Sequence, residues 1–154
     1  MAGWNFAEVW EEIAAAVPHR PAQVHGPRTL SWREFDRRSN ALAARLLEAG
    51  LGHQAKVAAY LTNAPEYLET YYAAFKAGLA PVNTNYRYGP DELSYLFDNA
   101  DAEAIVFHAG FADQLEPIRE RLTQVRAWIS TLAATGDSTA NRTSGRWPVL
   151  LTVR

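Results

Sequence analysis

The sequence predicts an α/β protein: a partial layered sheet with a parallel βαβαβ core, preceded by an N-terminal helix and a short hairpin. Three observations carry the prediction. Short apolar runs, "KVAAYL" at 56–61, "LAPVN" at 79–83 and "AEAIVF" at 102–107, alternate with stretches of helical period. Each pair of runs is separated by a single helix, which requires parallel strands joined by right-handed crossovers. Upstream of this alternation stand a helical stripe and a Gly-Pro turn flanked by β-formers.

In chain order, residues 6–17 place Phe6, Val9, Trp10, Ile13 and Val17 at helical spacing behind Asn5, a good cap, and Pro18 stops the helix. "PAQVHGPRTLSW" reads as two short strands around Gly26-Pro27. Ser31 followed by Glu34 makes a capping box for a long helix whose Trp32, Phe35, Leu42, Leu46 and Leu47 form the apolar stripe, and Gly50 ends it. "NAPEYLETYYAAFKAG" is the first crossover helix, with Pro65 near its start and Gly78 after its end. "GPDELSYLFDNA" is the second, with Asp91 and Glu92 in the first turn, where the helix dipole favours anions. "GFADQLEPIRERL" predicts a further helix interrupted or bent at Pro117, and "VRAWI" a closing strand. Beyond residue 129 the Ser-, Thr-, Ala- and Asn-rich stretch has neither helical nor strand period and reads as an irregular tail over 130–154.

The chain has 154 residues, 48% of them hydrophobic and 21% charged, which is a globular composition long enough for one core. A net charge of -2 offers no basic stripe, so nucleic acid is set aside as a partner. Zero cysteines exclude a disulfide framework and thiolate metal sites. Glu8, Glu11 and Glu12 stand where a secretory signal would be basic, and no run approaches the roughly 20 apolar residues of a transmembrane span. The expected location is cytoplasmic.

Few motifs point to chemistry. "GLGHQA" at 50–55 has the written form of a dinucleotide loop but follows a helix, the reverse of the order that such loops need. "NRTSGRW" lacks the second glycine and the lysine of a phosphate loop. His19, His25, His53 and His108 are scattered and most read as surface residues, and no G-x-S-x-G elbow is present. Tyr67, Tyr71, Tyr72 and Phe75 share a helical face, which reads as core ahead of an acyl-lined tunnel. "VNTNYR" differs in kind. It lies past the carboxyl end of a parallel strand, the edge where open α/β sheets place ligands, and its Arg87 suits either an anion contact or a clamp on a neighbouring loop.

The segment "FKAGLAPVNTNYRYGPDELSYLFDNADAEAIVF" resembles the early part of the AMP-forming acyl-CoA synthetases, the fatty-acid CoA ligase branch of the adenylate-forming superfamily. "LSWREFDRRSNALAARLLEAGL" and "KVAAYLTNAPEYLETYYAAFKAG" resemble that family's hairpin-to-helix passage and its first strand and helix, so the likeness covers residues 5–129. The resemblance implies that residues 1–129 are the N-terminal part of an adenylate-forming domain. It further implies a ligase that joins a fatty or aromatic carboxylic acid to ATP, with Mg, releasing pyrophosphate, and then passes the acyl group to coenzyme A with loss of AMP. The family's phosphate loop, later acidic motifs and C-terminal lysine are missing here, so no residue is assigned as catalytic, cofactor-binding or metal-ligating, and the chain alone is expected to be inactive. Asn83 and Arg87 match family positions without an assigned role.

The break near residue 130 is compatible with a lost reading frame or a genuine terminus. The alternative function is a non-catalytic assembly module that docks onto a full-length ligase, or self-associates, through an open sheet edge. Such open edges and uncovered apolar faces lead one to expect aggregation or dye binding by the isolated chain.

Overall fold

The computed structural model describes residues 5–131. Helix α1 (Phe6–Ala16) begins at Asn5, whose side chain accepts from the amides of Ala7 and Glu8. Strands β1 (Pro21–His25) and β2 (Arg28–Ser31) form the expected antiparallel hairpin around Gly26, which turns the chain at φ +56. Helix α2 (Trp32–Glu48) starts on the Ser31/Glu34 capping box, with both reciprocal hydrogen bonds formed. Gly50 closes it at φ +80, a backbone region open to glycine at no steric cost.

The parallel sheet contains β3 (Lys56–Tyr60), β4 (Ala80–Asn83), β5 (Ala102–His108) and β6 (Ala127–Thr131) in the order β4-β3-β5-β6. Helix α3 (Pro65–Lys76) joins β3 to β4, and α4 (Pro90–Asn99) joins β4 to β5. The first crossover steps one way along the sheet and the second steps back past β3. Right-handed connections therefore send α3 and α4 to opposite faces.

Strand alternation supplies both faces. Val57, Ala59, Ala104, Val106 and Ile129 pack with Leu42 and Leu46 of α2 and Ala73 and Ala74 of α3. Ala58, Tyr60, Ile105 and Trp128 point the other way, onto Leu93 and Phe97 of α4. Helix α1 lies outside this sandwich. Its Trp10 meets Phe35 with the rings tilted at 5.5 Å and Tyr72 edge-on at 5.0 Å.

The segment 110–122 takes the interrupted form: a 3-10 turn (Ala109–Phe111), a short helix α5 (Ala112–Leu115) and a second 3-10 turn (Glu116–Ile118). Pro117 removes an amide and crowds the preceding turn, and a helix that short has too few bonds to carry on past it. Leu115 and Ile118 still bury, as the apolar spacing requires. The tail beyond 131 lies outside the described residues.

The Ser31 cap yields a first prediction. Ser31→Ala should cost about 1 kcal/mol in urea unfolding, because the Glu34 amide loses its acceptor. Hydrogen bonds from the Ser31 backbone amide and hydroxyl hold the Glu34 carboxyl below its ordinary pKa. A depressed carboxylate contributes stability that is present above its unfolded pKa and lost as pH falls through the folded one. The cost of the substitution should therefore shrink in acid.

Candidate functional site at the carboxyl edge of the sheet

The "VNTNYR" junction leaves β4 at Asn83 and folds back on itself. The Asn85 side-chain oxygen accepts from the Arg87 amide at 3.0 Å, and the Tyr88 amide donates to the Asn85 carbonyl at 3.1 Å. Tyr60, at the end of β3, donates its hydroxyl to the Tyr88 carbonyl at 3.0 Å. Burial raises the Tyr60 pKa, so it stays a donor at neutral pH. These bonds, not Arg87, hold the loop. The Arg87 side chain is exposed, its guanidinium 5.3 Å from the Tyr86 ring centroid.

Asn83 is tied to the aromatic face of α3. The Tyr67 hydroxyl lies 2.9 Å from Asn83 Oδ1 and 3.0 Å from the Tyr71 hydroxyl. A phenol has one proton, so Tyr67 donates to Asn83 and accepts from Tyr71. Burial first, and then this bond to Tyr67, push the Tyr71 pKa up. Tyr72 is fully buried among Phe35 and Trp10, so this part of the stripe is core, while Tyr67 and Tyr71 are half-buried packing residues with polar tips. Thr84, 2% exposed, keeps a side-chain oxygen without a partner among the described residues.

A second feature was not anticipated. The connections after β3 and β5 leave for opposite faces, and the crevice between them holds a cleft of about 340 Å³. Leu61 and Thr62, following β3, form its floor with His108 and Thr131, the last residues of β5 and β6. The hairpin turn from His25 to Arg28 covers it. Open α/β sheets bind ligands at such a reversal because the diverging loops leave room there.

An ionic network fixes the covering turn. Arg28 donates to Glu66 of α3 at 2.8 Å, and Arg38 of α2 approaches the same carboxylate oxygen at 3.7 Å. Arg38 also grips Glu69 through two bonds of 2.6 and 3.0 Å. Glu69 is 0% exposed. Its burial pushes its carboxyl above the ordinary range while the Arg38 guanidinium opposes the rise. At His108, Nδ1 accepts from the Gly110 amide at 3.1 Å, which leaves Nε2 as the protonated, donating nitrogen of the neutral ring.

Histidines read as surface residues divide accordingly. His19, His25 and His53 are exposed, and His108 is half-buried in the cleft wall. Sequence reasoning singled out Arg87 and passed over Arg28, Glu66 and Thr131. The available signal for the last was its position at a strand's carboxyl end. Among the described residues there is no group of three or more His, Asp or Glu side chains placed to hold a metal ion, and their sequence contains no glycine-rich phosphate loop.

The family model for AMP-binding enzymes matches residues 10–147, running past residue 129 into the final segment. A medium-chain acyl-CoA ligase of Mycobacterium avium is 34% identical over 142 residues, covering 84% of this chain and 26% of the relative. A ligase of Mycobacterium marinum, described as acting on medium- and long-chain fatty acids and 3-oxocholest-4-en-26-oate, is 36% identical over 111 residues, covering 72% and 20%. This chain thus spans about a quarter or less of the length of these curated relatives. The crystallised N-terminal domain of the protein FACL13 of Mycobacterium tuberculosis superposes with a TM-score of 0.78 at 22% identity, covering 83% of this chain and 34% of that one, which establishes the shared fold. The capped hairpin-to-helix passage, the βαβαβ order and the family match agree, and the chain belongs to the AMP-binding enzyme family.

Proposed function

We propose that this chain is the N-terminal portion of an ATP-dependent acyl-CoA ligase and supplies the first sheet layer of its adenylating domain without performing the chemistry. The observation that carries the reading is the family match over 10–147 combined with a coverage of only 20–26% of the related ligases. In the complete enzyme, ATP with Mg and coenzyme A would convert a carboxylic acid to its thioester. The acid is of the fatty class, by likeness to relatives named for medium- and long-chain acids. Among the described residues no helix is long and apolar enough to cross a membrane. The proposal includes a cytoplasmic location, supported by the lack of cysteine. The boundary expected at 129 falls inside β6, which runs to Thr131, so the segment proposed as distinct from the layered part starts at 132.

The layer's contribution is positional. It holds Arg87 outward on a loop braced by Tyr60 and Asn85, at the edge where the remaining domain would present substrate. The test is ATP–pyrophosphate exchange by the purified 154-residue chain with acids of increasing chain length. No exchange above the protein-free blank is expected. Acid-dependent exchange by the chain alone would overturn the proposal.

A further inference from the structure

We infer that the cleft under the hairpin turn is a binding site for one small oxyanion, a phosphate or carboxylate group, built wholly from this chain. The inference goes beyond the ligase reading, because the site is formed by side chains present here and does not depend on adenylation. Its location comes first. The cleft opens between β3 and β5, where the following connections diverge to opposite faces of the sheet.

The second ground is an excess of donors. His108 presents Nε2–H, because Nδ1 is occupied by the Gly110 amide. Thr131 is 2% exposed and lines the cleft, and Thr62 adds a second hydroxyl to the lining. Each hydroxyl can donate one hydrogen bond to a ligand oxygen.

Charge decides the sign of the ligand. Among the described residues the lining contains one carboxylate, Glu66, and it is engaged by Arg28 at 2.8 Å with Arg38 at 3.7 Å behind it. Arg28 is the more open member of the pair, 32% exposed against 15% for Glu66, so the guanidinium is the outer charge. It keeps N–H groups beyond the one given to Glu66, and a guanidinium can hold two oxyanions at once through its fork. A cation would meet donors on every side except at a carboxylate already neutralised. Pro27, Leu61 and Ala64 add apolar wall beside such a contact, where screening is weaker than in open water. With Glu66 nearby, the fit is to a single compact group and not to a polyphosphate.

The test is a titration of the full chain at pH 7 and constant ionic strength with inorganic phosphate in one arm and butyrate in the other, sodium chloride serving as the reference. Imidazole proton shifts are followed for all four histidines. Saturable shifts confined to His25 and His108 are expected in at least one arm, with His19 and His53 unmoved. Saturation by phosphate alone identifies a phosphate group as the ligand chemistry, and saturation by butyrate alone a carboxylate. Arg28→Gln and Thr131→Val should each weaken binding at least fivefold, and Arg28→Lys should retain part of it. Thermal unfolding at micromolar protein gives a second measurement, in which the saturating anion raises Tm for the native chain and not for Arg28→Gln. Linear shifts shared by all four histidines, or equal affinity in Thr131→Val and Arg28→Gln, would overturn the inference.

Discussion

Glu69→Ala is expected to lower the unfolding free energy by about 3 kcal/mol, at the lower end of what breaking a buried ion pair costs. Glu69 is fully buried, and its two oxygens take both bonds from Arg38, whose side chain is 17% exposed. Removing the carboxylate takes both of these bonds from the Arg38 guanidinium in the α2–α3 seam, while Glu66 stays 3.7 Å away. That neighbour is why the lower end applies. The pair itself need not be net stabilising, since desolvating two charges offsets most of their attraction. A double replacement, Arg38→Met with Glu69→Met, should therefore recover most of the loss. Urea denaturation of the three variants checks this. A cost below about 1 kcal/mol for Glu69→Ala would mean that water reaches the seam.

The same pair sets a pH dependence opposite to that of Glu34. Burial raises the Glu69 carboxyl above its ordinary range, with Arg38 opposing. In the window between the unfolded and folded values the native state binds more protons than the unfolded state, so stability falls as pH rises through it. Glu34, depressed by its bonds to Ser31, gains stability across its own lower window. Glu69→Gln should flatten the first slope and leave the second, which unfolding measured at several pH values would resolve.

Local chemistry made much of the architecture legible. Asn5, Ser31 with Glu34, and Gly50 each mark a helix end through a bond or a backbone angle that a short sequence window contains. The apolar runs at β3 and β5 are strands buried on both faces, as crossover helices demand. The cleft escaped because nothing local encodes it. Arg28 and Glu66 are 38 residues apart, and His108 joins them through the packing of the hairpin over the sheet. The exposed Arg87 was easier to notice because its neighbours are aromatic and polar in a short run. Segment 110–122 was ambiguous for another reason: helical spacing persists through Leu115 and Ile118 although Pro117 prevents a continuous helix.

Phe97→Ala should destabilise the chain by about 3–5 kcal/mol, the cost of deleting a buried aromatic ring and leaving a cavity. Phe97 is 0% exposed on α4 and packs in one cluster with Ile105, Ile118 and Trp128, on the sheet face away from α2 and α3. Tyr95, two positions earlier on the same helix, is 72% exposed, and Tyr95→Ala should change stability by no more than about 0.5 kcal/mol. The contrast separates burial from helix propensity, since both substitutions install the same residue in the same helix. Glu69 and Phe97 lie on opposite sides of the sheet and share no recorded contact, so their effects should add. The sum, about 6–8 kcal/mol, falls within the whole stability of an ordinary domain of roughly 5–15 kcal/mol. The double variant should consequently show no cooperative unfolding transition in circular dichroism if the native stability is below about 6 kcal/mol, near the bottom of that range. A transition retained at the midpoint of either single variant would show that the two layers do not fold as one unit.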